Sequence, residues 1–205
     1  MIRRTVMAFE KNPWVDDICV VINGKFRTEY EKALAGMKKI RCMPVGGRER
    51  QESVGEGLRR LAEESAFEYV MIHDGARPYV SDRVIGHSLE TALRNGAAVA
   101  AVPVKDTIRR GAMTLSRSDL FAVQTPQTFA REIILSAYER AASDGFQGTD
   151  DGGLVERLGL PVALSEGDYA NIKITTKEDL KMEYRVGTGY DVHRLEYGRK
   201  LVLGG

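Results

Sequence analysis

The chain has 205 residues, of which 43% are hydrophobic and 29% are charged, a mixture typical of a globular domain with a proper core. Its formal net charge of +1 gives no general attraction to nucleic acid or to a membrane surface. No apolar run approaches the roughly 20 residues that a membrane-spanning helix needs, and the cysteines lack a metal-binding or redox spacing. These features predict a cytoplasmic protein that binds neither nucleic acid nor membrane.

Strand-like and helix-like segments alternate along most of the chain. The first is an amphipathic helix that starts near Ile2 and ends before Pro13. The next segments predict strands at 15–22, 40–45, 69–73, 97–104, 161–164 and 171–175. Helices are predicted at 26–37, from about 51, at 82–94, at 132–142 and after Thr149. Ser81 caps the helix at 82–94, and the capping box Thr175-x-x-Glu178 begins a last helix that runs through Tyr184. This order of β-α-β units predicts an α/β fold with a mostly parallel sheet.

Residues 105 to 126 interrupt the alternation. Polar and apolar residues interleave around Gly111, as in a β-hairpin. An arm of this kind, with Arg109, Arg110 and Arg117, could reach a phosphate or a second subunit. The alternative is a basic flap that is simply solvated. The stretch 124–129 is expected to lead from the arm into the next helix.

The most informative stretch is the predicted strand that runs from Tyr69 into Asp74 and Arg77. A buried strand of an open α/β sheet that ends in charged residues marks the edge where ligands bind. Asp74 offers the hard oxygen ligands that Mg²⁺ prefers together with substrate phosphates, and the planar fork of Arg77 fits a phosphate. The pair therefore indicates metal-assisted phosphate chemistry. The alternative is an aspartate that caps a turn beside a surface arginine.

Two further sites are weaker indications. Gly46 and Gly47 end a predicted strand, where backbone without side chains can approach a flat ligand closely, and Ser53 could add a hydroxyl. The alternative is a plain strand-to-helix turn. Lys173 lies between two isoleucines of a predicted strand, where its ammonium faces either solvent or a phosphate in the cleft.

Six short motifs then identify a family. They are Gly46-Gly47 with Gln51-x-Ser53-Val54, His73-Asp74-Gly75-Ala76-Arg77-Pro78, Val104-Lys105-Asp106-Thr107, Gln124-Thr125-Pro126-Gln127, Thr149-Asp150-Asp151, and Asp-x-x-Asn-Ile-Lys-Ile-Thr at 168–175. Together they resemble the 2-C-methyl-D-erythritol 4-phosphate cytidylyltransferases across nearly all of residues 1–184. The resemblance implies a three-layer, Rossmann-like nucleotidyltransferase fold with a protruding β-arm. It also implies the reaction, which is transfer of a cytidylyl group from CTP to methylerythritol phosphate in non-mevalonate isoprenoid biosynthesis.

The resemblance also implies roles for residues that match the family by position. Asp74 would ligate Mg²⁺; Gly46, Gly47, Ser53 and Gly75 would hold the cytidine; Arg77, Thr107 and Thr125 would bind methylerythritol phosphate; and Arg117 and Lys173 would align its phosphate for attack. The arm of the family swaps across a homodimer. We therefore expect a homodimer formed through residues 105–126, in which some of these residues serve the neighbouring site.

The start of the chain departs from the family. The family opens with a strand and a glycine-rich loop whose arginine and lysine grip the triphosphate, and no such segment precedes Ile2. One donor of this kind typically contributes about 2.7–4 kcal/mol of transition-state stabilisation. We therefore expect these 205 residues alone to have little or no transferase activity. Arg48 is a lesser departure, because an acidic residue is common at that place.

The end of the chain resembles a second family. Residues 185–195 and 201–205 are similar to the opening of 2-C-methyl-D-erythritol 2,4-cyclodiphosphate synthase, which occurs fused to the first family. The resemblance implies that Asp191 and His193 ligate Zn²⁺ or a similar divalent metal. Their spacing would put both on one face of a strand, although an Asp-x-His pair without a role is the alternative. We therefore expect a cytidylyltransferase domain at 1–184 and the start of a second α/β domain at 185–205, whose metal site is incomplete.

Two other functions remain open. A relative of the same architecture could act on another alditol phosphate such as ribitol phosphate, and would keep the loops at Gly47 and Asp74 without needing Thr107, Arg117 or Lys173. The second possibility is a non-enzymatic, dimeric protein that binds nucleotide without turnover. Binding and turnover assays run side by side would separate these from the transferase.

Overall fold

The strands of residues 1–175 form two main sheets and a small hairpin. The computed structural model describes residues 1–179; residues 1–175 form one unit, and 176–179 begin a second. The helices are α1 Ile2–Lys11, α2 Arg27–Leu34, α3 Arg50–Glu64, α4 Asp82–Asn95, α5 Arg131–Asp144 and α6 Asp151–Arg157. The strands are β1 Ile18–Cys19, β2 Ile40–Cys42, β3 Tyr69–Ile72, β4 Ala97–Pro103, β5 Arg109–Arg110, β6 Met113–Thr114, β7 Phe121–Ala130 and β8 Ala163–Glu166.

The larger sheet has the strand order β3-β7-β4-β8. Its strands β3, β4 and β8 run in one direction, and only β7 is antiparallel to its neighbours. The smaller sheet is the parallel pair β1-β2. The α/β fold with a mostly parallel sheet is therefore confirmed.

Helices cover both faces of the larger sheet, which gives the three predicted layers. Successive residues of a strand point to opposite faces, and β4 shows this directly. Val99 packs in a core with α3, α5 and α6, whereas Ala100 packs in a second core with α1 and α4. Leu58 and Ile134 belong to the first core, and Phe9 belongs to the second.

Several local predictions hold in detail. Helix α1 ends at Lys11, before Pro13. The hydroxyl of Ser81 accepts the backbone N–H of Val84 and so caps α4, which ends at Gly96 with a φ of 81°. Because the left-handed region costs glycine little, this residue can terminate the helix there. The hairpin around Gly111 is also present, as β5 and β6.

Two predicted elements are wrong, and a third stretch has a structure that was not predicted. Residues 124–129 do lead from the arm to the next helix, α5, which begins at Arg131, but they form the buried part of strand β7, between β3 and β4. Their polar side chains hid this strand, because a buried strand normally reads as an apolar run. Residues 171–175 form no β-strand. The reciprocal cap after them pairs Thr176 with Asp179, one residue later than predicted.

A cavity of about 660 Å³ lies between the two main sheets. In the described part of the chain, β3 pairs with β7 on one side alone, and β1 pairs with β2 alone. The side chains of Val20, Leu58 and Val70 are among those that line the space between these two strand edges. Among residues 1–179, no helix is both long enough and apolar enough to cross a membrane.

Candidate active site

Asp74 is the centre of the site, directly beyond the carboxyl end of β3. Three cations surround its carboxylate. The Nζ of Lys173 lies 3.1 Å from Oδ2, the Nε of Arg77 lies 3.4 Å from the same oxygen, and the Nε of Arg50 lies 3.4 Å from Oδ1. Burial opposes ionisation of Asp74, but the charges of Lys173, Arg50 and Arg77 together lower the pKa of this carboxyl below its usual range. The carboxylate is therefore ionised at neutral pH.

The donor set at Asp74 fits Mg²⁺ better than zinc. Magnesium binds proteins through one or two carboxylates and completes its shell with water and substrate phosphates. Residues 1–179 contain no cluster of three or more histidine, cysteine, aspartate or glutamate side chains that could hold a metal without such help. The predicted ligand Asp74 therefore suits a metal that arrives with a phosphate.

His73 and Thr125 hold the backbone of Asp74 in place. The Nε2 of His73 lies 3.2 Å from the carbonyl oxygen of Arg77, which can only accept, so this nitrogen carries the proton. Burial lowers the pKa of His73 to about 4, which keeps the ring neutral and makes Nδ1 an acceptor. The Thr125 hydroxyl donates to Nδ1 at 3.1 Å and accepts the N–H of Asp74 at 3.0 Å.

Arg77 is held from two sides. Its Nη1 donates to the carbonyl oxygen of Asn171 at 2.8 Å, while its Nε faces Asp74. The side chain of Asn171 is buried and donates to the carbonyl oxygen of Thr125 at 2.8 Å. The loop before Lys173 is thereby tied to β7. Of the two orientations left open for Lys173, the structure shows the one that faces the cleft.

Sequence analysis missed a second group that supports the site. Both oxygens of Asp151 accept from Arg50, at 2.6 and 3.1 Å, and Tyr138 donates to Asp151 Oδ1 at 2.6 Å. Burial would lower the pKa of Arg50, but the hydrogen bonds and charge of Asp151 raise it overall. Burial and the charge of Asp151 also raise the pKa of Tyr138. The sequence signals were that Arg50 lies within the Gly47 and Ser53 motif and that Asp151 belongs to the motif Thr149-Asp150-Asp151.

The residues predicted to hold cytidine lie on the other side of Asp74. Gly75, Ser53 and Asp74 line the cavity between β1 and β3. At Gly46, an added Cβ atom would stand 2.6 Å from the Ser53 hydroxyl oxygen, so this close approach requires glycine. Gly47 is exposed beside it.

The remaining predicted residues are not brought to Asp74 within one chain. Thr107 and Arg117 lie in the exposed arm, where Arg117 Nη1 donates to the carbonyl oxygen of Lys105 at 2.6 Å. Asp191 and His193 lie outside the described residues. Asp74, Arg77, Thr125 and Lys173 are therefore the predicted residues that the structure gathers into one cleft of about 470 Å³.

Comparisons with known proteins agree with the motifs. The family model "2-C-methyl-D-erythritol 4-phosphate cytidylyltransferase" matches residues 1–185. An enzyme of this name from Geobacillus kaustophilus is 46% identical over 187 residues, which cover 88% of this chain and 81% of the relative.

Solved structures show the same fold. The 4-diphosphocytidyl-2C-methyl-D-erythritol synthase of Anaerococcus prevotii superposes with a TM-score of 0.80 at 30% identity, over 87% of this chain and 82% of that one. The bifunctional IspDF protein of Campylobacter jejuni, at 24% identity and a TM-score of 0.74, shares the fold over 88% of this chain and 45% of its own length. With its fold, its cleft and its sequence in agreement, the chain belongs to the 2-C-methyl-D-erythritol 4-phosphate cytidylyltransferase family.

Proposed function

We propose that this chain transfers the cytidylyl group of CTP to 2-C-methyl-D-erythritol 4-phosphate in the cytoplasm. The products are 4-diphosphocytidyl-2-C-methyl-D-erythritol and pyrophosphate. The reaction is an intermediate step of non-mevalonate isoprenoid biosynthesis. The observation that carries this proposal is the single ionised carboxylate of Asp74 among the cations Arg50, Arg77 and Lys173. An arrangement of this kind suits phosphoryl chemistry, in which a protein mainly positions reactants and neutralises charge.

The reaction is a substitution at the α-phosphorus of CTP. A phosphate oxygen of methylerythritol phosphate forms the new P–O bond, and the bond to the leaving pyrophosphate breaks. Mg²⁺, held by Asp74 and by substrate phosphates, would neutralise the charge that gathers on the leaving group. Lys173 has an exposed ammonium beside Asp74 and is suited to aligning the attacking phosphate.

The other residues of the cleft would orient the two substrates. The guanidinium of Arg77 is anchored at Asn171 and suits the phosphate of methylerythritol phosphate. The Thr125 hydroxyl donates its proton to His73, so it can only accept a hydrogen bond from a substrate. Gly46, Gly47, Ser53 and Gly75 would bind cytidine at the cavity between β1 and β3, where backbone groups can read the edge of the base.

Arg117 and Thr107 would act from the arm, across a homodimer. Both residues are exposed in the arm, whereas Arg50, Arg77 and Lys173 surround the Asp74 carboxylate of the same chain, and this placement supports a role of the arm in the neighbouring site. Exposed apolar side chains on the arm and the adjoining strand, Ile108, Met113, Phe121 and Val123, supply surface for such a contact. Sedimentation of the whole chain, with and without the arm substitution Phe121→Glu, tests this arrangement. A monomer in both cases contradicts it.

The cavity between β1 and β3 is proposed to seat a further β-strand together with the glycine-rich loop of the family. Two strand edges face it, and its walls are largely apolar. The cations of such a loop would grip the triphosphate. The test assays a version of the chain that carries such a strand and loop ahead of Met1 beside the 205 residues alone; a rise in turnover supports this assignment, and equal turnover contradicts it.

Residues 185–205 are proposed to open a cyclodiphosphate synthase domain. The support is their resemblance to that family, in which Asp191 and His193 would ligate Zn²⁺ or a similar metal. The Campylobacter jejuni protein, which shares this fold, is described as bifunctional, and this supports the proposal. Metal analysis of a longer chain, with and without His193→Ala, tests this assignment.

The main experiment offers the protein CTP and Mg²⁺ with either methylerythritol phosphate or ribitol phosphate. Faster release of pyrophosphate with methylerythritol phosphate supports the proposal. A preference for ribitol phosphate would favour the related alditol-phosphate transferases. Tight CTP binding with no product from either acceptor would favour the non-catalytic, nucleotide-binding alternative.

A further inference from the structure

The guanidinium of Arg50 is shared unequally between two carboxylates. Two of its nitrogens donate to Asp151, Nη2 to Oδ2 at 2.6 Å and Nη1 to Oδ1 at 3.1 Å. Only Nε faces Asp74, at 3.4 Å from Oδ1, which is long for a hydrogen bond. Because a two-pronged pair is the stronger geometry, Asp151 is the main partner of Arg50 and Asp74 is a minor one.

Asp151 is fixed in the core of the domain. Its side chain is 1% exposed, and it also accepts from the Tyr138 hydroxyl at 2.6 Å. Its backbone N–H donates to Gln127 Oε1 at 3.1 Å. The cap of α6 is the side chain of Asp150, which accepts the N–H of Gly153. The carboxylate of Asp151 is therefore not needed as the helix cap and is committed to Arg50.

The contacts of Asp74 show why this matters. The nearest approaches of Arg77 and Lys173 are both to Oδ2, whereas Arg50 approaches Oδ1. A divalent cation needs a carboxylate lone pair that no guanidinium occupies. We propose that Asp151 is a positioning residue that binds most of the Arg50 guanidinium and limits its contact with Asp74 to one long interaction through Nε, so that the Asp74 carboxylate stays available to the metal. This inference rests on the proposed role of Asp74 as a metal ligand.

Two substitutions should then act in opposite directions. In Asp151→Asn the shape is kept, but Arg50 loses the charge that compensates it. Arg50 is then expected to turn to Asp74, the other carboxylate it contacts, and to compete with the metal. Arg50→Met removes the competitor and keeps an unbranched side chain. Combined with Asp151→Asn, it should therefore restore metal binding.

The test measures binding of Mn²⁺ in the presence of CTP, by electron paramagnetic resonance, to the whole chain. The variants are D151N, R50M and the double variant R50M/D151N. Asp144→Asn is the matched control, because Asp144 likewise accepts two hydrogen bonds from guanidinium groups, those of Arg140 and Arg157, at 2.9 Å each. Thermal unfolding of every variant reports structural damage separately.

D151N is expected to weaken Mn²⁺ binding about tenfold, the scale of losses from residues that support metal ligands. D144N should stay within about twofold of the unchanged chain, and R50M should bind Mn²⁺ at least as tightly as that chain. The double variant should recover binding even where its melting temperature is lowered, which a merely structural role of Asp151 would not produce.

Unchanged affinity in D151N, or a double variant as weak as D151N, would overturn the proposal. If D151N does not fold, the R50M variant alone tests the proposal. Retained affinity of R50M for Mn²⁺ supports it, and lost affinity contradicts it. Failure of the unchanged chain to bind Mn²⁺ with CTP would instead show that the proposed function is wrong, and this inference would fall with it.

Discussion

Neutral His73 makes the domain sensitive to acid, and the size of the effect follows from its burial. The histidine pKa falls from 6.5 to about 4 on folding, with burial as the main cause. Below pH 6.5 the unfolded chain binds a proton that the folded ring refuses, so stability is lost as the pH falls towards 4. At about 1.4 kcal/mol for each pH unit, the difference reaches about 3 kcal/mol. His73 also lines the cavity between β1 and β3. Because water in that cavity would reduce the cost of a charged ring, about 3 kcal/mol is the upper limit of the difference in stability.

The assay compares urea unfolding of the unchanged chain and of His73→Asn at pH 7.5 and pH 4, followed by circular dichroism. Carboxylates also titrate in this range, but they do so in both proteins, so the difference between the two pH dependences isolates His73. Parallel curves for the unchanged chain and His73→Asn would refute the reasoning.

Three further substitutions follow from the same contacts. Asp74→Asn should lower turnover by at least about 100-fold, because it removes the proposed metal ligand; equal turnover in steady-state assays would contradict this. Gln127→Leu should lower the free energy of unfolding by about 1–3 kcal/mol for each backbone N–H that loses its acceptor, since Gln127 Oε1 accepts the N–H groups of Asp151 and Gly152. Urea titration measures this loss, and an unaltered unfolding midpoint argues against these hydrogen bonds. Ile134→Ala should lower the free energy of unfolding by about 2–5 kcal/mol in the same titration, because Ile134 is fully buried. A loss below about 1 kcal/mol, close to that of a substitution at an exposed site, would mean that this core is loosely packed.

The sequence predicted those parts of the fold that have a local signature. Helix α4 begins at a serine cap and ends at a left-handed glycine, and both signals are readable in the chain. Strand β7 had no such signature, because its buried positions include the polar residues Gln124, Gln127 and Thr128. These residues satisfy their hydrogen bonds with groups far along the chain, and only the tertiary structure supplies those partners.

The site divides in the same way. Asp74 and Arg77 could be predicted because they follow a strand directly, and a strand of an open α/β sheet delivers its carboxyl end to the ligand edge. The Asp151 carboxylate could not, since its partner Arg50 is 101 residues away in the sequence. Two adjacent acids suit the start of a helix; Asp150 does cap α6, and this simple explanation concealed the separate role of Asp151.

The measurement that tests the central claim most directly is detection of the transferred product by mass spectrometry. The whole chain is incubated for a long period with CTP, Mg²⁺ and methylerythritol phosphate, so that even slow turnover accumulates 4-diphosphocytidyl-2-C-methyl-D-erythritol. The account predicts this product from the unchanged chain and none from Asp74→Asn under identical conditions. Equal product from both proteins, or no product from a folded chain that binds CTP and also carries the strand and loop of the family, would contradict it.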